Sequence, residues 1–161
     1  MAALANNRNT QHQGDGCTRQ VYPLADNVIV YMGSLVVLNA GYAEPGTVAT
    51  GLQAVGVAAL AYPNGVNGGP GTPGDYADNT QSGHAAGKVA VEVRRGIYKF
   101  DNYASDLVVV GDIGKNCFVF DDHTVAHSDG SAARSVAGRV ENIDADGGVW
   151  VNFNEQAALA T

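Results

Sequence analysis

Short apolar runs separated by glycine-rich turns follow one another along the chain from residue 21 onward. The clearest run spans residues 88–95, where valine occupies three alternate positions. Successive side chains of a β-strand point to opposite faces, so this spacing predicts a strand with an apolar face and with Glu92 and Arg94 on the other face. No stretch carries the pattern of a long amphipathic helix.

The end of the chain carries the pattern of a β-hairpin. Residues 135–143 and 149–153 are predicted as its two strands, and the residues between them, 144–148, are aspartate and glycine with one alanine. Turns of this composition supply the backbone angles of a tight reversal. The alternation predicts that Val151 and its apolar neighbours share one face, with Trp150 on the other.

Further strands are predicted from apolar runs at 28–32, 35–38, 52–62, 97–100, 107–110 and 116–120. Gly56 interrupts the run 52–62 and favours a strand with a bulge over a helix. The predicted fold is all-β, a compact β-barrel or β-sandwich of about eight short strands with an extended N-terminal arm and a long Gly/Pro-rich loop. The arm covers residues 1–20, a single β domain covers 21–155, and a tail covers 156–161.

Two segments lack a core-forming pattern and are predicted to contact neighbouring subunits. Residues 1–20 are polar and aperiodic; extended, they reach roughly 66 Å, far beyond the ~15 Å radius of gyration of a compact body of this length. The alternative to a subunit contact is that residues 1–20 form a flexible terminus. Residues 63–87 form a long loop, which is typical of functional or disordered segments. The interface candidates are Asn6, Asn7, Arg8, Asn9, Thr10, Gln11, Pro70, Pro73, Tyr76, Arg94 and Arg95.

Composition and charge exclude some classes of protein. The chain of 161 residues has 21 glycines, and 16 acidic residues outnumber 9 Lys and Arg to give a net charge of −7. Binding to phosphates needs a basic face, so no nucleic-acid partner is expected. Cys17 and Cys117 are too few for a disulfide framework, and Cys117 is expected to be a small buried side chain.

No membrane partner is expected either. The longest apolar run, 54–62, has about nine residues, whereas a membrane helix needs about 20. The first residues lack the apolar stretch of a signal peptide, so synthesis and folding in a cytoplasm are expected.

Three motifs that could carry chemistry fail on spacing or context. His123 and His127 have the spacing of a metal pair on a helix, but they follow a predicted strand in a turn, so a surface loop is predicted and no metal site. Residues 142–147 resemble the start of a calcium loop, but Phe153 stands where the loop needs glutamate, and a hairpin turn is predicted. Residues 111–115 lack the full phosphate-loop pattern.

No catalytic constellation emerges from the remaining residues. The serines lie in no Gly-x-Ser-x-Gly turn, and Arg94 with Arg95 is a single basic pair, interpreted as a solvated strand end or a subunit contact. We predict that the protein is not an enzyme and needs no cofactor.

The order of several blocks resembles the small head decoration, or capsid cement, proteins of tailed bacteriophages. The resemblance covers roughly residues 25–153. The blocks are DNT at 78–80, AAGKVAVEVRRG at 85–96, GIYKFDN at 96–102, DIGKNCFVFDDHTVA at 112–126, SVAGRV at 135–140 and GVWV at 148–151.

The resemblance implies a β-rich body, homotrimers at three-fold positions of the head, and a stabilising role. It implies that the partner is the major capsid protein and that the protein lies on the outer surface of the virion capsid after synthesis in the host cytoplasm. The polar arm and the enlarged loop at 63–87 depart from the shorter members of this family, and both are expected to make extra contacts.

Two other functions remain open from the sequence. A carbohydrate-recognising β module, such as a surface adhesin of the virion, is the alternative, because exposed aromatic rings on a β scaffold stack against sugars. The aromatic residues considered for this role are Tyr62, Tyr76, Tyr98, Tyr103 and Trp150. A hydrolase with a dispersed site is a further possibility, since catalytic groups can come from distant strands.

Overall fold

The computed structural model describes residues 3–13, 19–62 and 75–154, and this part of the chain consists almost entirely of β-strands and turns. The predicted all-β class is confirmed, with more strands than the sequence pattern predicts. No helix in the described residues is long and apolar enough to cross a membrane.

The strands are short and follow one another with little other regular structure. A 3₁₀ turn spans Val110–Asp112. In chain order the strands are β1 (His12–Gln13), β2 (Arg19–Pro23), β3 (Ile29–Tyr31), β4 (Leu35–Asn39), β5 (Tyr42–Pro45), β6 (Gln53–Tyr62), β7 (Tyr76–Asp78), β8 (Ala90–Arg94), β9 (Ile97–Asn102), β10 (Asn116–Val119), β11 (Thr124–Ala126), β12 (Val136–Ile143) and β13 (Val149–Asn152).

Five strands of the C-terminal half close into a small barrel. Their order is β9, β11, β10, β12, β13, and β13 pairs back with β9. Neighbouring strands are antiparallel except β9 and β11, which are parallel. Strand β1 pairs with the start of β9, on the edge that β11 occupies further along. Closure gives each strand of the ring a partner on both sides.

The N-terminal half forms a second sheet that packs against this barrel. It is antiparallel, in the order β2, β8, β6, β4, β5. Leu24, directly after β2, forms a parallel bridge with Ala43 of β5, and the Ala25 N–H donates to the Ala43 carbonyl oxygen at 2.9 Å. These contacts bring the two edges of the sheet, at β2 and β5, together. Strands β3 and β7 form a separate two-stranded ribbon.

The second sheet separates two apolar cores. Val36 and Val55 point into one core, whereas Leu35, Val37 and Ala54 point into the other, which also fills the barrel. A strand buried on both faces needs apolar residues at consecutive positions, and this explains the unbroken Leu-Val-Val-Leu run of β4. The predicted bulge in β6 is confirmed by register shifts against both β4 and β8.

The predicted hairpin at the end of the chain is confirmed. Strand β12 pairs antiparallel with β13, and Val151 is fully buried while Trp150 is partly exposed. In the turn, Asp144 and Asp146 lie 2.8 and 2.6 Å from Nζ of Lys99. The acidic residues that imitate a calcium loop therefore bind a lysine from β9.

The strand predicted at 107–110 is wrong. Val108 is buried there, but Leu107, Val109 and Val110 are exposed, and the chain turns into the 3₁₀ element instead of pairing with a neighbour. An apolar run without a partner strand gains nothing from an extended conformation.

The loop predicted at 63–87 is interrupted, because Tyr76–Asp78 forms β7. Residues 63–74, including Pro70 and Pro73, lie outside the described residues, as do Cys17 and the tail from 155 onward.

Candidate interaction surface

Residues 107–113, here called the aliphatic loop, present large apolar side chains to solvent. The exposed fractions are 51% for Leu107, 52% for Val109, 72% for Val110 and 45% for Ile113. An exposed cluster of large aliphatic side chains is typical of a surface that binds another protein. The aliphatic loop is therefore the strongest candidate for an interaction surface in the described part of the chain.

Val108 anchors one end of the aliphatic loop to the barrel. Val108 is buried in the barrel core. The Asn102 side chain accepts the Val108 N–H at 2.9 Å and donates to the Val108 carbonyl oxygen at 2.8 Å. The loop can therefore present its exposed side chains without a large cost of ordering on binding.

Asp112 fixes the other end of the loop. Its carboxylate is buried and accepts the Val109 N–H at 3.0 Å and Lys115 Nζ at 3.2 Å, and His127 Nδ1 lies 2.9 Å away. The hydrogen bond from Val109 lowers the pKa of Asp112, and Lys115 and His127 act in the same direction against the effect of burial. The surface loop predicted at His123 and His127 is wrong, because the residues between them form the buried strand β11.

The described part of the N-terminal arm lies on the chain's own body. The Arg8 guanidinium donates to the His123 carbonyl oxygen at 2.9 Å and to Asp101 at 3.1 Å. The Lys99 N–H donates to the carbonyl oxygen of Gln11 at 3.0 Å, next to the pairing of β1 with β9. Residues 3–13 thus use many of their polar groups within the chain, and a contact of residues 1–20 with a neighbouring subunit stays a prediction.

The arm passes directly over Gly33. The Arg8 N–H donates to the Met32 carbonyl oxygen at 2.9 Å, and the Thr10 hydroxyl donates to the carbonyl oxygen of Gly33. Gly33 has a φ of +90°, and a Cβ atom at this position would overlap the Arg8 carbonyl oxygen. A glycine is therefore needed here both for the backbone angle and for the close approach of the arm.

The structure brings some of the predicted interface residues together. Arg8, Asn9, Thr10 and Arg94 line one cavity of about 360 Å³. Arg94 also lies 3.2 Å from the buried Glu92 carboxylate. This group therefore forms a local surface where the arm meets the second sheet.

Other predicted interface residues lie apart from this cavity. Asn6 is exposed, and Asn7 accepts the Met32 N–H at 3.3 Å. Tyr76 packs on Tyr31 in the β3–β7 ribbon, with ring centroids 5.4 Å apart. Arg95 is partly buried, and its Nε has no hydrogen-bond partner among the described residues.

The aromatic residues considered for sugar stacking do not form a shared platform. Tyr98 is buried in the barrel core, and Tyr103 stacks on Phe120 at 3.8 Å beneath Arg134. Trp150 is partly buried. The side chain of Tyr62 lies outside the described residues.

One group of side chains in the described part of the chain could hold a metal ion. Asp121, Asp122 and His123 each offer a ligand atom, and these atoms lie within 4.8 Å of one another. They occupy the turn between β10 and β11. The sequence prediction considered His123 only together with His127, expected no metal site, and missed the two aspartates that precede His123.

Function is inferred from the sequence and the structure, because the comparisons with known proteins found no match. A scan against protein-family models, a search of curated proteins and a search of solved structures each gave no match.

Proposed function

We propose that this protein is a structural virion protein that decorates and stabilises a bacteriophage capsid by binding the lattice of the major capsid protein as a homotrimer. The observation that carries the proposal is the aliphatic loop, which is exposed, apolar and held by hydrogen bonds at both ends. The resemblance of residues 25–153 to phage head decoration proteins supports it, and the all-β body agrees with what that resemblance implies.

Binding through three copies of a small surface is physically sufficient for this role. Each aliphatic loop offers a modest apolar area, and burying such area contributes roughly 25 cal/mol per Å² before the cost of association. A trimer whose symmetry matches the three-fold positions of the lattice engages three such surfaces at once, and the second and third contacts become intramolecular.

The charge of the chain suits a position on the outside of a filled head. A net charge of −7 gives no general attraction for DNA. The protein would then bind the shell without competing for the packaged genome.

The test is a binding experiment with undecorated heads and the Val110→Asp variant. Among the large apolar residues that the structure describes, Val110 is the most exposed, at 72%. A buried charge without a partner opposes association, so we expect wild-type protein to sediment with the heads and Val110→Asp to bind at least about tenfold more weakly. Light scattering of the purified wild-type protein is expected to give the mass of a trimer.

Val21→Asp is the matched control. Val21 lies on β2 and is 57% exposed, so it receives the same change in charge at a similar exposure away from the aliphatic loop. Equal binding of Val110→Asp and the wild type would reject the loop as the binding surface, and a failure of the wild type to bind heads would reject the proposed function.

A further inference from the structure

The turn between β10 and β11 places two buried carboxylates around one imidazole. Nδ1 of His123 lies 3.0 Å from Oδ1 of Asp122 and 3.2 Å from Oδ1 of Asp121. The exposed fractions are 1% for Asp122 and 7% for Asp121. Burying neighbouring carboxylates is costly unless a positive charge or several hydrogen bonds compensate them.

The hydrogen bonds of the two carboxylates are unequal. Both oxygens of Asp122 accept the Leu4 N–H, at 3.0 and 3.2 Å, and Oδ1 of Asp121 accepts the His123 N–H at 3.0 Å. The other oxygen of Asp121, Oδ2, is buried and has no hydrogen-bond partner among the described residues. A buried carboxylate oxygen without a partner points to a ligand that completes the site.

The distances from His123 to the two carboxylates fit a metal ion, and all three ligand atoms lie within 4.8 Å of one another. Two atoms bound to one cation at about 2.1 Å lie roughly 3.0–3.4 Å apart when the angle between the bonds is octahedral or tetrahedral. The His123–Asp122 and His123–Asp121 distances of 3.0 and 3.2 Å fall in this range. Two carboxylates and one imidazole form a donor set suited to Mn²⁺ or Zn²⁺.

A route to the site exists on the surface. Asp121 and Glu44 are the acidic residues that line a surface cavity of about 480 Å³, together with Phe120 and Val48. Asp121 borders this cavity, and the charged residues of the lining are both acidic, which favours cations over anions. Water molecules in this cavity could complete the coordination of a bound ion.

We propose that Asp121, Asp122 and His123 bind one divalent transition-metal ion through their carboxylate oxygens and the Nδ1 of the imidazole. The ion also stabilises the N-terminal arm, because Asp122 holds the Leu4 N–H and the carbonyl oxygen of His123 accepts from Arg8. Ligand carboxylates are commonly held by such second hydrogen bonds. The proposal is independent of what the protein binds.

The test uses the full chain without a histidine tag, stripped with chelator and titrated with Mn²⁺ and then with Zn²⁺ by calorimetry. Mn²⁺ is the first probe because it binds carboxylates well and thiolates such as that of Cys17 poorly. We expect one ion per chain and a higher melting temperature in its presence. We also expect hydrogen exchange of the Leu4 amide to slow by about tenfold when the metal is bound.

The variants separate a metal site from a group that is only structural. Asp121→Asn and His123→Gln are each expected to weaken Mn²⁺ binding by tenfold or more. The controls are Asp129→Asn and His127→Gln. Asp129 is exposed, so Asp129→Asn makes the same change in charge as Asp121→Asn but outside the site. His127 contacts one carboxylate, that of Asp112, so His127→Gln makes the same change as His123→Gln beside a single carboxylate. Both control variants are expected to bind Mn²⁺ as the wild type does.

Three outcomes would overturn the proposal. They are the absence of saturable binding of both ions, unchanged binding by Asp121→Asn and His123→Gln, and equal losses in the control variants. Circular dichroism in chelator checks that the variants fold. Asp121→Asn keeps the shape of the side chain and removes no bond to Oδ2, so it is expected to fold like the wild type.

Discussion

Single residues decide where the N-terminal arm lies and how the aliphatic loop is held. Gly33 leaves space for the backbone of the arm, and its positive φ is one that other residues adopt only with strain. Asp112 gathers a backbone N–H, a lysine and a histidine around one buried carboxylate. Neither role can be read from the sequence, because both depend on residues distant in the chain.

We predict that Gly33→Ala displaces the arm from the body. The added methyl group would overlap the Arg8 carbonyl oxygen, so the hydrogen bonds of Arg8 and Thr10 should be lost. Hydrogen exchange at the amides of these two residues is expected to accelerate by about tenfold or more.

Gly41→Ala is the control for that experiment. Gly41 has a φ of +89°, nearly the same as Gly33, but nothing lies within 4 Å of a Cβ atom placed there. Both substitutions carry a backbone strain of about 1–2 kcal/mol, and Gly33→Ala alone should change the exchange of the arm. Unchanged exchange at Arg8 in Gly33→Ala would show that the arm is not held against Gly33.

Elements with a regular pattern could be predicted from the sequence, and the others could not. The hairpin of β12 and β13 has alternating residues and a turn of aspartate and glycine, both of which act locally. The run at 107–110 is as apolar as a strand, but whether it pairs depends on an available edge, which the sequence does not specify. Strands β1 and β7 have only two and three residues, too few for a period to show.

The candidate site could be predicted only in part. The acidic pair before His123 is visible in the sequence, but its burial comes from Leu4 and from the turn between β10 and β11. His127 lies four residues from His123 in sequence and binds Asp112 instead. The two histidines flank strand β11 in place of the predicted surface loop, and three residues are too few for the period of a strand to show in the sequence.

At the scale of one strand, we predict that Val36→Ala and Val37→Ala are both destabilising. These neighbours in β4 are fully buried, and they point into different cores. Removing two methyl groups from a core costs about 2 kcal/mol in the free energy of unfolding. Urea unfolding of both variants measures this loss.

Val21→Ala serves as the comparison, because Val21 is 57% exposed and its truncation should cost less than about 0.5 kcal/mol. If one of Val36→Ala and Val37→Ala were as mild as Val21→Ala, the sheet would have one buried face instead of two.

The whole molecule is organised around a sheet that both cores share. Strands β4 and β6 contribute side chains to each core, so neither core keeps its packing if this sheet opens. Three carboxylates also hold the body together through hydrogen bonds. They are the buried Asp78 of β7 and Asp112 of the aliphatic loop, and the partly buried Asp106 after β9.

The stability of the whole molecule is expected to fall in acid. Burial raises the pKa of Asp78 and of Asp106, but hydrogen bonds from Thr80 and from Ser128 and Arg134 outweigh it and lower both pKa values. Groups whose pKa is lower in the folded state stabilise it above the unfolded pKa of about 3.9. That contribution is lost as the pH falls through the folded values.

Asp112→Asn tests this dependence at one carboxylate. The variant should be less stable than the wild type by about 2 kcal/mol at pH 7, since a hydrogen-bonded buried charge is lost. The difference between the two proteins should shrink as the pH falls from 5 to 3, because the Asp112 carboxylate takes up a proton at a higher pH in the unfolded wild-type chain than in the folded protein. Urea unfolding across this range measures the difference, and a constant value would contradict the assigned role of Asp112.

The closed ring of β9, β11, β10, β12 and β13 also limits how the protein can associate. Each strand of the ring already has both backbone edges occupied, so no foreign strand can extend it into a fibre. Even a highly concentrated solution of this chain should therefore stay free of amyloid growth from the barrel. A protein that binds this ring must therefore recognise the side chains on its surface, because the ring leaves no backbone edge for strand pairing.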